Sequence, residues 1–80
     1  MIRVLYFASL RDASGCESED VELADAGATA AELYASLRQR HSLPFARERL
    51  RVAIDGSFAD WATPLADGAE VAFIPPVSGG

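Results

Sequence analysis

The chain has one cysteine and one histidine, Cys16 and His41, the types most readily turned to nucleophilic or metal chemistry. A reactive thiolate wants a helix N-terminus or neighbouring cations. Cys16 is instead followed by Glu17, Glu19 and Asp20, and carboxylates oppose thiolate formation. A reactive Cys16, as a persulfide for example, is therefore disfavoured. His41 has no second histidine or cysteine with which to form a spaced ligand pair, so the sequence offers no metal site, and a lone imidazole needs partners for catalysis. Gly27-Ala28-Thr29 lacks the glycine-rich pattern that cradles phosphates.

What remains is the end of the sequence, Phe73-Ile74-Pro75-Pro76-Val77-Ser78-Gly79-Gly80. Read as a chain terminus, Gly80 is expected to bear a free carboxylate, ionised at neutral pH because such groups titrate near about 3.5. A carboxylate is a poor electrophile until a partner activates it. Pro75 has no N–H to give a sheet ladder and Pro76 repeats the break, so a strand over 71–74 should stop at Ile74. Two prolines favour a stiff, extended exit. Gly79 and Gly80 then remove every Cβ from the tip, which fits a slot too narrow for other residues. The expected organisation is one domain over 1–76 and a flexible tail over 77–80.

Several elements must position that tip. Ile2 to Ser9 reads as a strand, with Ile2, Val4 and Tyr6 on one face and Leu5 and Phe7 on the other. Gly15 marks a turn, and Glu19 to Leu23 suits a second, antiparallel strand. Asp25-Ala26-Gly27 reads as a loop. Thr29 and Glu32 match a capping box in which Glu32 reaches back to the Thr29 N–H. A helix follows over Ala30–His41, burying Ala30, Leu33, Tyr34 and Leu37, with Arg38, Arg40 and His41 placed to suit its dipole. Ser42 to Arg49 is a connection. Leu50 to Ile54 reads as a strand, Asp55-Gly56 as a hairpin turn and Ser57-Phe58-Ala59 as its return. Trp61 and Leu65 should plug the end of the core, and Asp67-Gly68 turns the chain into the last strand. One helix on one face of a mixed sheet is an α+β solution. It fits a β-grasp, the ubiquitin-like fold, with the first and last strands adjacent at the centre.

The pairing of Pro64-Leu65, Asp67-Gly68, Glu70-Val71-Ala72-Phe73, Pro75-Pro76-Val77 and Gly79-Gly80, with Phe7 to Asp12 near the start, resembles the family of molybdopterin synthase small subunits, ubiquitin-like sulfur carriers. The resemblance implies that an ATP-using, ubiquitin-activating-type adenylyltransferase adenylates Gly80. It further implies that a sulfur donor protein converts the adenylate to a thiocarboxylate, which gives its sulfur to precursor pterin in the active site of a large subunit. This chain would be the non-catalytic, sulfur-donating subunit of a sulfurtransferase, in an expected heterotetramer, with no permanently bound cofactor. Strand alternation places Phe7, Phe58 and Ile74 off the helix-covered face; by the same resemblance they dock the large subunit, Arg11 makes a polar contact, and Pro75, Pro76, Val77, Ser78 and Gly79 line the path to Gly80. Ile74 departs from the family, where an aromatic is frequent. Other ubiquitin-like carriers serve thiazole synthesis, tRNA thiolation or conjugation to proteins. The double proline favours the pterin pathway over thiazole carriers. A plain interaction domain is the third reading.

Composition bounds these readings. Eighty residues, half of them apolar, allow one small core that buries about 60–65% of the unfolded chain's surface. The formal charge of −5 is wrong for phosphate contacts, so nucleic acid is not expected as a partner. No apolar run approaches the roughly 20 residues of a membrane span. The start lacks a signal-like apolar region and a single cysteine excludes an internal disulfide framework, so the cytoplasm is the expected location. All seven basic residues are arginine. Base composition accounts for that; the alternative is that an activated C-terminus gains from having no nearby amines.

Overall fold

The computed structural model describes residues 1–26 and 28–75. Strand β1 (Ile2–Tyr6) is followed by helix α1 (Ser9–Ser14), β2 (Ser18–Val21), the one-turn α2 (Leu23–Ala26), the main helix α3 (Ala30–His41), a 3₁₀ turn (Arg47–Arg49), β3 (Arg51–Ile54), β4 (Ser57–Ala59) and β5 (Glu70–Ile74). The five strands lie in the order β2-β1-β5-β3-β4. β1 and β5 are parallel neighbours at the centre, with Val4 opposite Val71, and β3 flanks β5 antiparallel, with Val52 opposite Phe73. This is the β-grasp arrangement.

Alternation along the strands sorts the core. Ile2, Val4 and Tyr6 on β1, Val52 on β3, and Val71 and Phe73 on β5 are all buried on one face. Ala30, Leu33, Tyr34 and Leu37 of α3 are buried with them in one apolar cluster. Trp61 stacks on Phe73 with centroids 5.9 Å apart and planes 7° from parallel, and Tyr34 meets the same ring at 5.1 Å. Trp61 and Leu65 pack on the core's edge as expected. The Tyr34 hydroxyl donates to the Phe45 carbonyl at 2.6 Å, so this deep phenol brings no unpaired polar atom into the core.

The start of α3 shows why it begins where it does. Four N–H groups open any helix without helical partners. Here Ala30 N–H donates to the Thr63 carbonyl and Ala31 N–H to the Trp61 carbonyl, while Thr29 Oγ1 accepts from Glu32 N–H at 3.3 Å. The Glu32 carboxylate reaches one residue further back than a capping box requires. It accepts from Ala28 N–H at 3.0 Å and not from Thr29 N–H. The Asp55-Gly56 turn is as expected, with φ of 51° and 87°, the paired positive values of a type I′ hairpin.

Three expectations are corrected. The first strand ends at Tyr6, and Ser9 begins α1. The N–H of Gly15, in the left-handed region at φ 81°, closes α1 on the Arg11 carbonyl. The second strand runs over Ser18–Val21, so Leu23 is not its last residue but the first of α2. The stretch read as a loop at Asp25-Ala26 is the end of that helical turn.

Candidate functional site

The sheet face away from α3 can be read row by row from the registers. At one end stand Asp20, Arg3 and Glu70, side by side on β2, β1 and β5. Arg3 Nε lies 3.5 Å from Asp20 Oδ1. One step further comes Leu5, Ala72, Ala53 and Phe58, across β1, β5, β3 and β4. Two alanines between two large side chains leave a shallow trough. The last row holds Ile74 opposite Arg51, and continuing the β1–β5 register by one residue brings Phe7 level with Ile74. The face is polar at one end and apolar at the other. With strands about 4.8 Å apart and a rise of about 3.3 Å per residue, Phe7, Ile74 and Phe58 fall within a patch roughly 16 Å across.

Burial agrees. Phe58 is 68% exposed and Phe7 46%, while Ile74 is half-buried. Exposed aromatics clustered on one face of a small domain are characteristic of a binding surface. Phe7 lies just past β1, where Leu10 N–H donates to its carbonyl at 3.0 Å. The next residue, Ala8, has φ 49° and ψ −122°, so the patch borders a strained corner.

β5 ends at Ile74 and the buried Pro75 follows, so the chain leaves the sheet at the apolar end of this face. The expectations for Pro76, Val77, Ser78, Gly79 and Gly80 lie outside the described residues. Arg11 is on α1, exposed, with one guanidinium nitrogen 3.6 Å from Glu17, a distance and exposure at which a pair contributes little.

Cys16 and His41 meet at an unforeseen place. Glu19 stands opposite Val4 on β2 and so turns inward, beneath the last turn of α3. It receives the Tyr6 hydroxyl at 3.1 Å, Arg40 at 3.0 Å and His41 Nε2 at 2.7 Å, with Cys16 Sγ 3.7 Å away. Burial and then the Glu19 charge push the Tyr6 phenol far above its ordinary range. The cluster ties the helix end to an edge strand, and the thiol faces a carboxylate, as the sequence anticipated. The sequence signal for Glu19 was its parity with Val21, but the inward carboxylate finds its hydrogen-bond partners 13, 21 and 22 residues away. No group of three acidic, histidine or cysteine side chains among the described residues is placed to hold a metal. An open groove of about 750 Å³ lies elsewhere, between α3 and the 42–49 connection.

A β-grasp domain with a bare apolar sheet face, from whose rim the chain exits toward two glycines, belongs to the ubiquitin-like class. The chain is a member of the ThiS family, whose model matches residues 4–80. It is 37% identical over 82 residues to the molybdopterin synthase sulfur carrier subunit of Escherichia coli, covering 100% of both chains. Among solved structures it resembles small archaeal modifier protein 1 of Haloferax volcanii, with TM-score 0.78, 26% identity and coverage of 95% and 97%. It also resembles a chain in the protein–protein complex of subunits 1 and 2 of the molybdopterin-converting factor of Helicobacter pylori, with TM-score 0.68, 25% identity and coverage of 99% and 97%.

Proposed function

We propose that this chain is the sulfur carrier subunit of a molybdopterin synthase. The observation that carries the reading is end-to-end similarity, at 37% identity, to a relative named for that role. The fold supplies a matching geometry, because the exit at Pro75 and the apolar patch share one end of the sheet. A partner seated on Phe7, Phe58 and Ile74 would receive the tail in its own active site, with Pro76, Val77, Ser78 and Gly79 threading the entrance. The partner is the large synthase subunit, in a heterotetramer; the Helicobacter pylori relative is named in such a complex of two subunits. Arg11, exposed on α1, is assigned a further polar contact with that partner.

The chemistry falls on Gly80. Its carboxylate attacks the α-phosphate of ATP on a ubiquitin-activating-type adenylyltransferase, pyrophosphate leaves, and a mixed anhydride forms. A donor protein's persulfide sulfur displaces AMP to give an acyl disulfide, and a thiol then reduces the S–S bond, itself becoming a disulfide, to leave a thiocarboxylate, a case of acyl activation followed by nucleophilic substitution. The thiocarboxylate sulfur attacks precursor pterin in the large subunit, so the catalytic side chains are the partner's. All of this is cytoplasmic chemistry, and no helix among the described residues is long and apolar enough to cross a membrane.

Intact mass after incubation with the adenylyltransferase, ATP and a sulfur source tests the proposal. The chain should gain about 16 Da as sulfur replaces oxygen. Deleting Gly80 should abolish the gain, and Gly79→Ala should slow transfer without unfolding the domain. Sulfur delivery by the Gly80-deleted chain would refute the assignment and make Cys16→Ser the next measurement. The similarity to small archaeal modifier protein 1 favours one second reading, a protein modifier. That reading predicts isopeptide conjugates in cells instead of a thiocarboxylate pool.

A further inference from the structure

Seven arginines face twelve carboxylates in this chain, so a guanidinium without an acidic neighbour calls for a reason. Arg3, Arg11, Arg40 and Arg47 each have a carboxylate oxygen at 3.0–3.8 Å. Arg38, Arg49 and Arg51 form no ion pair among the described residues. They are held by other means. Arg38 donates from Nε to the Leu43 carbonyl at 3.3 Å. Arg49 lies over the Phe45 ring and Arg51 over the Phe58 ring, each with Cζ 5.6 Å from the centroid. Residues 38–51 contain five of the seven arginines and one carboxylate, Glu48. An acidic protein thus keeps one basic stretch in which three of five arginines, Arg38, Arg49 and Arg51, have no ion-pair partner among the described residues.

Arg51 differs from the other two by its place. It stands opposite Ile74 and over the exposed Phe58, inside the apolar end of the outward sheet face. Asp60 lines the same small cleft beside Phe58 without pairing with it. Stacking on an aromatic face orders the planar guanidinium and leaves its N–H edge for another acceptor. A partner that covers Phe7, Ile74 and Phe58 must cover or border Arg51. That side chain cannot give up its proton, and an ion removed from water without a counterion is strongly unfavourable. The surface that fits here is therefore apolar with an acceptor at one defined point.

We propose that the partner docking on this face presents a carboxylate side chain to Arg51. The inference rests on the docking reading above and adds the partner's chemistry. The test is titration calorimetry of the full chain against the large synthase subunit from the same genome, at low and high salt. Arg51→Met keeps the stem over Phe58 and removes the charge. It should weaken binding by about tenfold or more and flatten the salt dependence; Arg51→Glu should weaken it further, and Arg51→Lys should fall between. Circular dichroism melts of each variant establish that the fold is kept. An Asp→Arg or Glu→Arg change on the large subunit that restores binding of Arg51→Glu would identify the partner carboxylate. Arg51→Met binding as tightly as the parent, while Phe7→Asp loses binding, would overturn the carboxylate and leave the docking face standing. Normal binding by Phe7→Asp would remove the docking face and this inference with it.

Discussion

Ala8 holds a backbone conformation ordinarily left to glycine. Its φ of 49° and ψ of −122°, with the Leu10 N–H closing on the Phe7 carbonyl, match the first central position of a type II′ turn, where a Cβ is unwelcome. Positive φ costs an L-residue about 1–2 kcal/mol, and glycine returns about half of that through unfolded-state entropy. Ala8→Gly should therefore raise stability by about 0.5–1 kcal/mol, read as a higher denaturant midpoint at unchanged slope. Tyr6 gives a second prediction at this scale. Its folded-state pKa is raised above the ordinary 10.0 by burial and by Glu19. The phenol then stays protonated in the native chain while the unfolded chain ionises. Its contribution to stability is intact below pH 10 and is lost as pH rises beyond it, by about 1.4 kcal/mol per pH unit. Tyr6→Phe should cost about 1 kcal/mol at neutral pH for the lost hydrogen bond. The gap to the parent should vanish within about one pH unit above 10 and then reverse, by about 1.4 kcal/mol per further unit, and alkaline melts that run parallel for the two proteins would contradict this.

At the scale of elements, α3 was legible to the residue because three independent signals agree: a Thr29 cap, apolar spacing of three and four, and cations in the last turn. β1, β3 and β5 were legible because alternation survives where one face is buried. α1 and α2 were not. A helix of six residues, or four, has room for one or two core contacts; Leu10 is the one buried residue of α1, and a single point defines no period. The patch of Phe7, Phe58 and Ile74 followed from side-chain parity. Arg51's seat within it did not, because it depends on the pairing of β3 with β5, strands separated by the whole 55–69 connection. The N-terminus of α3 shows the same limit from the other side. Thr29 was read as the cap, yet two of the first N–H groups are satisfied by Trp61 and Thr63 carbonyls. Thr29→Ala removes one acceptor of several and should lower stability by about 1 kcal/mol, near the middle of the range for such caps. A loss above about 3 kcal/mol would mean that the Thr29–Pro64 bridge moves with it.

For the molecule as a whole, stability is expected to be graded from the sheet centre outward. β1, β5 and β3 are hydrogen-bonded on both sides, whereas β2 and β4 are edges. The central pair joins residues about 67 positions apart, Arg3 with Glu70 and Tyr6 with Phe73, so no central strand can open without dissolving the core. Native-state hydrogen exchange should find the slowest amides on β1, β5 and β3 and in the middle of α3, with α1 and α2 exchanging at least tenfold faster. Exchange from α1 as slow as from β5 would show that the strained corner after Phe7 is braced more firmly than its contacts indicate.

Because β1 and β5 run parallel, the chain enters and leaves this domain at opposite ends of the sheet. Met1, whose amino group pairs with the Asp67 carboxylate, sits by the polar row of Arg3 and Glu70. Pro75 sits at the apolar end, a strand of five residues away, or roughly 17 Å at 3.3 Å per residue. A tether, purification handle or fluorophore joined ahead of Ile2 therefore hangs from the far pole. The protein can be immobilised on a sensor surface or spliced behind another domain by that pole while its apolar rim stays open to solution.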